Sequence, residues 1–292
     1  MSQSATHIDA RGRAVRRVLG GLLLANLVVV ATKLAVALQT GSLAVFGDVV
    51  HSSIDALNNV IGLLVMRVAS KEPDEEHPYG HGKFEPLGAL VIVVFLSVTI
   101  FELGRDAVQR LIRGAAPPQV SALDLGLLGF TLAINVWVAW YEGRAGRRWE
   151  SELLLADAAH TRADVVVSLG VLLGLALSRL GYGWLDPLLG LVVSLLVARI
   201  GFGIVRRSMP TLVDERALDR QTIQRVAEAV EGVRSAYAIR SRSAAAMRFA
   251  ELTIAVDGDQ DVAAAHRIAD QVEERLRRQL DLHQVVVHVE PC

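Results

Sequence analysis

Two short stretches carry side chains able to hold a metal ion: "DVVHSSID" at 48–55 and "DAAHTRAD" at 157–164. Both fit D-x-x-H-[ST]-x-x-D. In a helix, residues four apart share a face, so each copy presents an imidazole beside a carboxylate: His51 with Asp55, and His160 with Asp164. Asp48 and Asp157 stand about one turn earlier on nearly the same faces. Two imidazoles and two carboxylates form a four-coordinate set that suits Zn²⁺ in tetrahedral geometry. Co²⁺, Cd²⁺, Fe²⁺ and Mn²⁺ bind such atoms too, because divalent metals are separated by geometry and availability rather than by affinity alone. The imidazoles make Mg²⁺ or Ca²⁺, which favour all-oxygen cages, poorer candidates.

Both copies lie in apolar segments, which is what makes them unusual. The chain has 292 residues and a net charge of -1, with a mean hydropathy of +0.39. That apolarity is uneven: residues 18–205 are mostly apolar and 206–292 have ordinary soluble composition. A membrane span needs about 20 mainly apolar residues. Six candidates follow, at 17–38, 43–68, 86–112, 121–142, 152–178 and 184–206. Breaks at "QTGS" (39–42), "KEPDEEHPYGHGKFEP" (71–86), "RGAAPPQ" (113–119), "EGRAGRRWE" (142–150) and "RLGYGW" (179–184) separate them, most marked by Gly or Pro. "RGRAVRR" before an apolar run has the look of a secretory signal, but five further apolar segments favour a retained first helix. Near-neutral charge gives no sign of nucleic-acid binding, and Cys292 alone builds neither a disulfide framework nor a thiolate cluster.

Orientation follows from loop charge. With a cytoplasmic N-terminus, the inner flanks hold Arg11, Arg13, Arg16, Arg17, Lys71, Lys83, Arg144, Arg147, Arg148, Arg206 and Arg207, and the outer flanks hold Arg110, Arg113 and Arg179. This satisfies the positive-inside rule and puts both termini in the cytoplasm. Helices two and five then run in opposite directions. His51 and Asp55 fall roughly 15–21 Å below the outer end of one, and His160 and Asp164 roughly 12–18 Å above the inner end of the other. Within a hydrocarbon core about 30 Å thick, the two pairs share a depth. Polar residues also glue membrane helices together. Two matching pairs at one depth favour a site, since ionisable groups in lipid are costly and functional candidates by default. Asn58, Asn59 and Asn135 suit interhelical hydrogen bonds or the lining of a path. Asp48 and Asp157 either orient the imidazoles and mark an ion path, or pair with polar groups at helix ends.

The tail alternates patterns. "ERALDRQTIQRVAEAVEG" and "DVAAAHRIADQVEERLRRQL" read as amphipathic helices, and "SAYAIRSRS", "RFAELTIAVDG" and "QVVVHVEP" as strands. The order αββαβ predicts an α+β open-faced sandwich. The expected architecture is an α-helical polytopic membrane domain of six transmembrane helices (17–208) after a short cytoplasmic segment (1–16), then a C-terminal cytoplasmic αββαβ domain (209–292).

Taken together, H-S-S-I-D, H-T-R-A-D, "HPYGHGKFEPLGAL", "LDP" (185–187), "MPTLVD" (209–214) and the αββαβ tail resemble the cation diffusion facilitator family, of the bacterial zinc/iron efflux type, over about 15–292. The resemblance implies a homodimeric secondary active transporter of the inner cell membrane, not an enzyme. Such a transporter exchanges a divalent cation for protons by alternating access, with His51, Asp55, His160 and Asp164 as the transport site. Zn²⁺ or another divalent transition metal is then substrate, and no organic cofactor is implied. It also implies a loop metal site at Asp74, His77 and His81, and a Lys83–Asp214 contact between protomers. Where family members with a metal-binding tail carry histidines, this chain has Tyr237 and Thr253; His266, His288 and Glu290 remain at matching places. A passive metal channel or membrane metal sensor is the alternative. An intramembrane metalloenzyme would need an open coordination position and a general base, and no H-E-x-x-H occurs.

Overall fold

The computed structural model describes residues 2–40, 43–113, 122–244 and 246–292. The side chains of Asp48 and His51, and the turns expected at 41–42 and 114–119, lie outside the described residues. The chain forms two compact units, whose main spans are Ala5–Ser208 and Met209–Cys292.

The first unit is built from α1 (Ser2–Thr40), α2 (Leu43–Ala69), α3 (Phe84–Arg113), α4 (Ala122–Arg148), α5 (Glu152–Arg179) and α6 (Asp186–Leu212). Their core gathers around Leu19, Met66, Leu96, Leu153, Leu154 and Val197, each at most 1% exposed. Four stretches, Ala10–Gln39, Phe84–Arg113, Glu152–Leu177 and Asp186–Leu212, are long and apolar enough to cross a membrane by length and composition. The helices α2 and α4 are diluted by polar residues. Among these is the Asp55–Asn59 stretch, whose Asn58 and Asn59 are buried.

Two boundaries differ from expectation. The basic stretch before the first span is helical, because α1 already begins at Ser2. The segment "EGRAGRR", expected as a break, continues α4 to Arg148. Its glycines serve packing rather than turning. A Cβ on Gly146 would stand 2.9 Å from Leu155 Cγ and 3.1 Å from the Leu155 backbone nitrogen, and one on Gly143 would stand 3.0 Å from Arg162 Nη2. Small residues let membrane helices approach closely, and α4 packs along α5 at this seam.

A polar clasp closes one end of the unit. Arg11 on α1 donates to Glu85 Oε2 at 2.8 Å, to the Trp149 carbonyl at 2.8 Å and to the Glu150 carbonyl at 2.9 Å. Ser151 donates to Glu85 Oε1 at 2.5 Å. The clasp thus ties α1, the start of α3 and the α4–α5 turn together around a Glu85 that is 0% exposed.

The second unit keeps the expected order: α7 (Arg220–Glu228), β1 (Ser235–Ala244), β2 (Met247–Val256), α8 (Val262–Leu280) and β3 (Gln284–Pro291). The central strand β2 pairs antiparallel with β1 and parallel with β3. Helix α7 is shorter than the amphipathic pattern suggested, because Asp219 caps it by accepting from the Thr222 amide at 3.2 Å. Asp261 caps α8 in the same way, at 2.6 Å from the Ala264 amide. Both helices cover one face of the sheet, where Ile223, Val272 and Leu276 meet Leu252, Ile254 and Val285.

Candidate metal centre

Three of the four expected ligands come together. Asp55 on α2 and His160 and Asp164 on α5 offer ligand atoms that all lie within 4.8 Å of one another. His160 Nε2 is 3.3 Å from Asp55 Oδ1 and 3.9 Å from Asp164 Oδ2. The fourth, His51, lies one helical turn before Asp55 on α2, its side chain outside the described ones. Asn58 Nδ2 approaches His160 Nε2 at 3.4 Å. His160 and Asp164 are 5% and 8% exposed. An imidazole and two carboxylates this close, two of the three buried, could hold a metal ion.

The cluster stands where two cavities meet, since Asn26, Asp55, Asn135 and Asp164 line both. One cavity extends toward the end of α5, past Val167 and Val171, with about 200 Å³ of room for water-sized groups. Lys33, 5% exposed, lines it and donates to Ser52 Oγ at 2.8 Å. The other extends toward the start of α5, past Asp157 and Thr161 to Asn59 and Glu142, with only about 20 Å³.

Asp157, 6% exposed, and Glu142, 1% exposed, both line that narrow cavity. Thr161 Oγ1 lies 3.2 Å from Glu142 Oε2 and 3.1 Å from the Asp157 carbonyl. Sequence reading missed Glu142, because the glycines after it suggested a turn. The signal available was "YEGRAGRR" continuing the helical run of α4, which carries an acid into the unit. Asp48 is outside the described side chains.

The loop residues also gather. Asp74 Oδ1 accepts from the His77 amide at 2.7 Å and lies 3.3 Å from His77 Nδ1, and Asp74 Oδ2 is 3.3 Å from His81 Nε2. The His77 backbone hydrogen bond is the main cause holding the Asp74 carboxyl below its ordinary value, with the charge on His81 adding to it. Gly80, at φ 82, closes the turn that folds His81 back, its amide bonded to the His77 carbonyl at 2.9 Å.

The C-terminal residues do not gather as a set of three within one chain. Tyr237, Thr253 and His288 sit in one row across β1, β2 and β3, and Tyr237 donates its phenolic proton to Glu290. His288 Nε2 is 3.5 Å from Glu290 Oε1. His266 is instead on α8, 3.8 Å from Asp270. Alternation along β3 explains the split: Val285, Val287 and Val289 turn to the helices, and His288 and Glu290 to the open face. Asp214, at φ 55, lies 3.7 Å from Arg242 Nη1, and Lys83 immediately precedes α3.

A helical unit with membrane-length apolar segments and a cluster of groups able to hold a metal ion points to a class of membrane protein that handles metal ions. Comparison with known families agrees: the cation efflux transmembrane domain matches residues 22–213, and the cytoplasmic domain of cation efflux proteins matches residues 216–292. The chain belongs to the cation efflux, or cation diffusion facilitator, family, whose members are membrane transporters of divalent metal cations. It is 34% identical over 274 residues to Metal tolerance protein C1 of Arabidopsis thaliana, covering 86% of this chain and 57% of that protein. It is 28% identical over 280 residues to the manganese efflux system protein MneP of Bacillus subtilis, covering 92% and 93%. It is also 28% identical to the cation-efflux pump FieF of Salmonella arizonae, covering 93% and 94%.

Proposed function

We propose that this chain exports divalent metal cations from the cytoplasm in exchange for protons, by alternating access, through a transport site of His51, Asp55, His160 and Asp164. The observation that carries the reading is the meeting of Asp55, His160 and Asp164 within 4.8 Å at the junction of two unequal cavities. A carboxylate must be ionised and an imidazole neutral to bind metal, so protons and metal compete for the same atoms. A wide approach on one side and a tight one on the other suits a site exposed to one side at a time.

The ligand set favours Zn²⁺. Cd²⁺, Co²⁺, Fe²⁺ and Mn²⁺ share the reading, and one relative is named for manganese efflux. The basic flanks support an inner-membrane protein with both termini in the cytoplasm, so the wide cavity opens away from the cytoplasm. The cytoplasmic domain (209–292) joins two copies into a homodimer, with Lys83 and Asp214 as a contact near the membrane. Asp74, His77 and His81 form a cytoplasmic capture site that feeds the transport domain (17–208).

Zn²⁺ uptake into proteoliposomes under an imposed pH gradient tests this. Flux is expected to follow the gradient and to vanish in Asp164→Ala. Flux indifferent to the gradient means a passive channel, absence of flux with retained binding means a sensor, and unchanged flux in Asp164→Ala removes the site assignment.

A further inference from the structure

We infer a second cation station between the transport site and the cytoplasmic end of the helices, formed by Glu142, Asp157, Asn59 and Thr161. It rests on the transport reading above and adds a site with different chemistry: oxygen ligands only. Glu142 and Asp157 are 1% and 6% exposed and line one narrow cavity of only about 20 Å³. Two carboxyl groups in so small a space must share either a proton or a cation, since two bare charges repel there.

Asn59 supplies the independent pointer. It is 3% exposed and lines the same narrow cavity. Its amide nitrogen donates to the Asp55 carbonyl at 3.1 Å, which fixes the orientation of the amide. What it has left to offer is Oδ1, and that atom has no hydrogen-bond partner. A buried acceptor without a donor is costly, and a cation satisfies it together with the two acids. Thr161 Oγ1, 3.2 Å from Glu142 Oε2, adds a neutral oxygen.

The room available, about 20 Å³, admits one water-sized particle, so the station takes a cation that has shed most of its water. Hard oxygen donors hold borderline divalent ions less tightly than a mixed imidazole–carboxylate set does. A cation from the cytoplasm therefore halts here and passes on to His160, three residues along α5 from Asp157, rather than remaining. The station raises the local cation concentration beside the transport site and so sets the half-saturating metal concentration on the cytoplasmic face.

Zn²⁺ flux in proteoliposomes, read as initial rate against external Zn²⁺ for molecules with their cytoplasmic face outward, tests the inference. Glu142→Gln is expected to raise the half-saturating Zn²⁺ by roughly tenfold while the saturated rate changes little, the pattern of lost binding rather than lost turnover. Glu142→Asp keeps the carboxylate and restores most of the affinity. Should Glu142→Gln not fold, as judged by gel filtration, Asp157→Asn takes its place.

A second measurement separates this inference from the transport reading. Mn²⁺ binding to the full chain, followed by electron paramagnetic resonance, is compared in Asp164→Ala and Asp164→Ala/Glu142→Gln. The station predicts one Mn²⁺ fewer per chain in the double variant, and the loop site cancels between the two. Half-saturation within twofold of wild type in folded Glu142→Gln, or equal Mn²⁺ binding in the two proteins, overturns the inference. Full flux in Asp164→Ala instead refutes the transport reading, and the Mn²⁺ difference still decides the station.

Discussion

The Arg11–Glu85 clasp makes a prediction whose size and asymmetry both follow from geometry. Glu85 is 0% exposed and its acceptors are spent on Arg11 at 2.8 Å and Ser151 at 2.5 Å. Arg11 retains 16% of its side-chain exposure and two backbone carbonyl acceptors besides Glu85. Breaking a buried ion pair costs about 3–5 kcal/mol, chiefly through the charge left behind. In Glu85→Ala the charge left behind is Arg11, which still has two carbonyls and some water, so the cost falls near the bottom of that range, about 3 kcal/mol. In Arg11→Met the stranded group is a fully buried carboxylate with one hydroxyl donor, so the cost rises to about 4–5 kcal/mol or the carboxyl takes up a proton. The Arg11→Met/Glu85→Ala protein, with both charges gone, should lose less than the sum of the two by about 2 kcal/mol or more. Reversible unfolding of the purified chain in mixed micelles, with all four proteins compared, measures the cycle. Single variants each within about 0.5 kcal/mol of wild type, the range of ordinary surface changes, or additive losses, would refute the reasoning.

Three further outcomes can be checked. Gly146→Ala should cost about 1–3 kcal/mol by overpacking against Leu155 and lower metal flux with it. Gly20→Ala, where nothing stands within 4 Å of the new Cβ, should be neutral or slightly stabilising in the same unfolding assay. In the C-terminal unit, partial burial and then the nearby Arg277 hold the His283 imidazole below its ordinary value of 6.5. The unfolded chain thus binds the extra proton more readily, so this contribution is fully present above pH 6.5 and is lost as pH falls through the lower folded value. Amide exchange in β2 and β3 should speed up between pH 7.5 and 5 beyond its intrinsic dependence, and His283→Gln should reduce that excess.

What the sequence made legible was local and repeated. The two D-x-x-H-[ST]-x-x-D copies marked the faces that carry imidazole and carboxylate, and Asp55 meets His160 across 105 positions. Strand β3 fell where alternation put it, at Gln284–Pro291. The failures have a common cause in tertiary packing. Glycines at 143 and 146 punctuate a sequence as a turn does, yet here Leu155 and Arg162 fill the space a side chain would take. Glu142 was lost with them. The union of Arg11 and Glu85, 74 positions apart, has no periodic signature. Of the C-terminal residues, His288 and Glu290 neighbour each other on the open face of β3, and His266 stands on α8 apart from them within one chain.

The glycine seam has a mechanical consequence. Helices wedged backbone to backbone shear poorly past each other, so α4 and α5 should swing as one rigid paddle. That paddle carries Glu142, Asp157, His160 and Asp164, whereas Asp55 and Asn59 belong to α2. On the proposed transport reading, rocking that releases an ion would split both proposed sites along the same line, with the carboxylate and the amide of α2 left on the opposite bank.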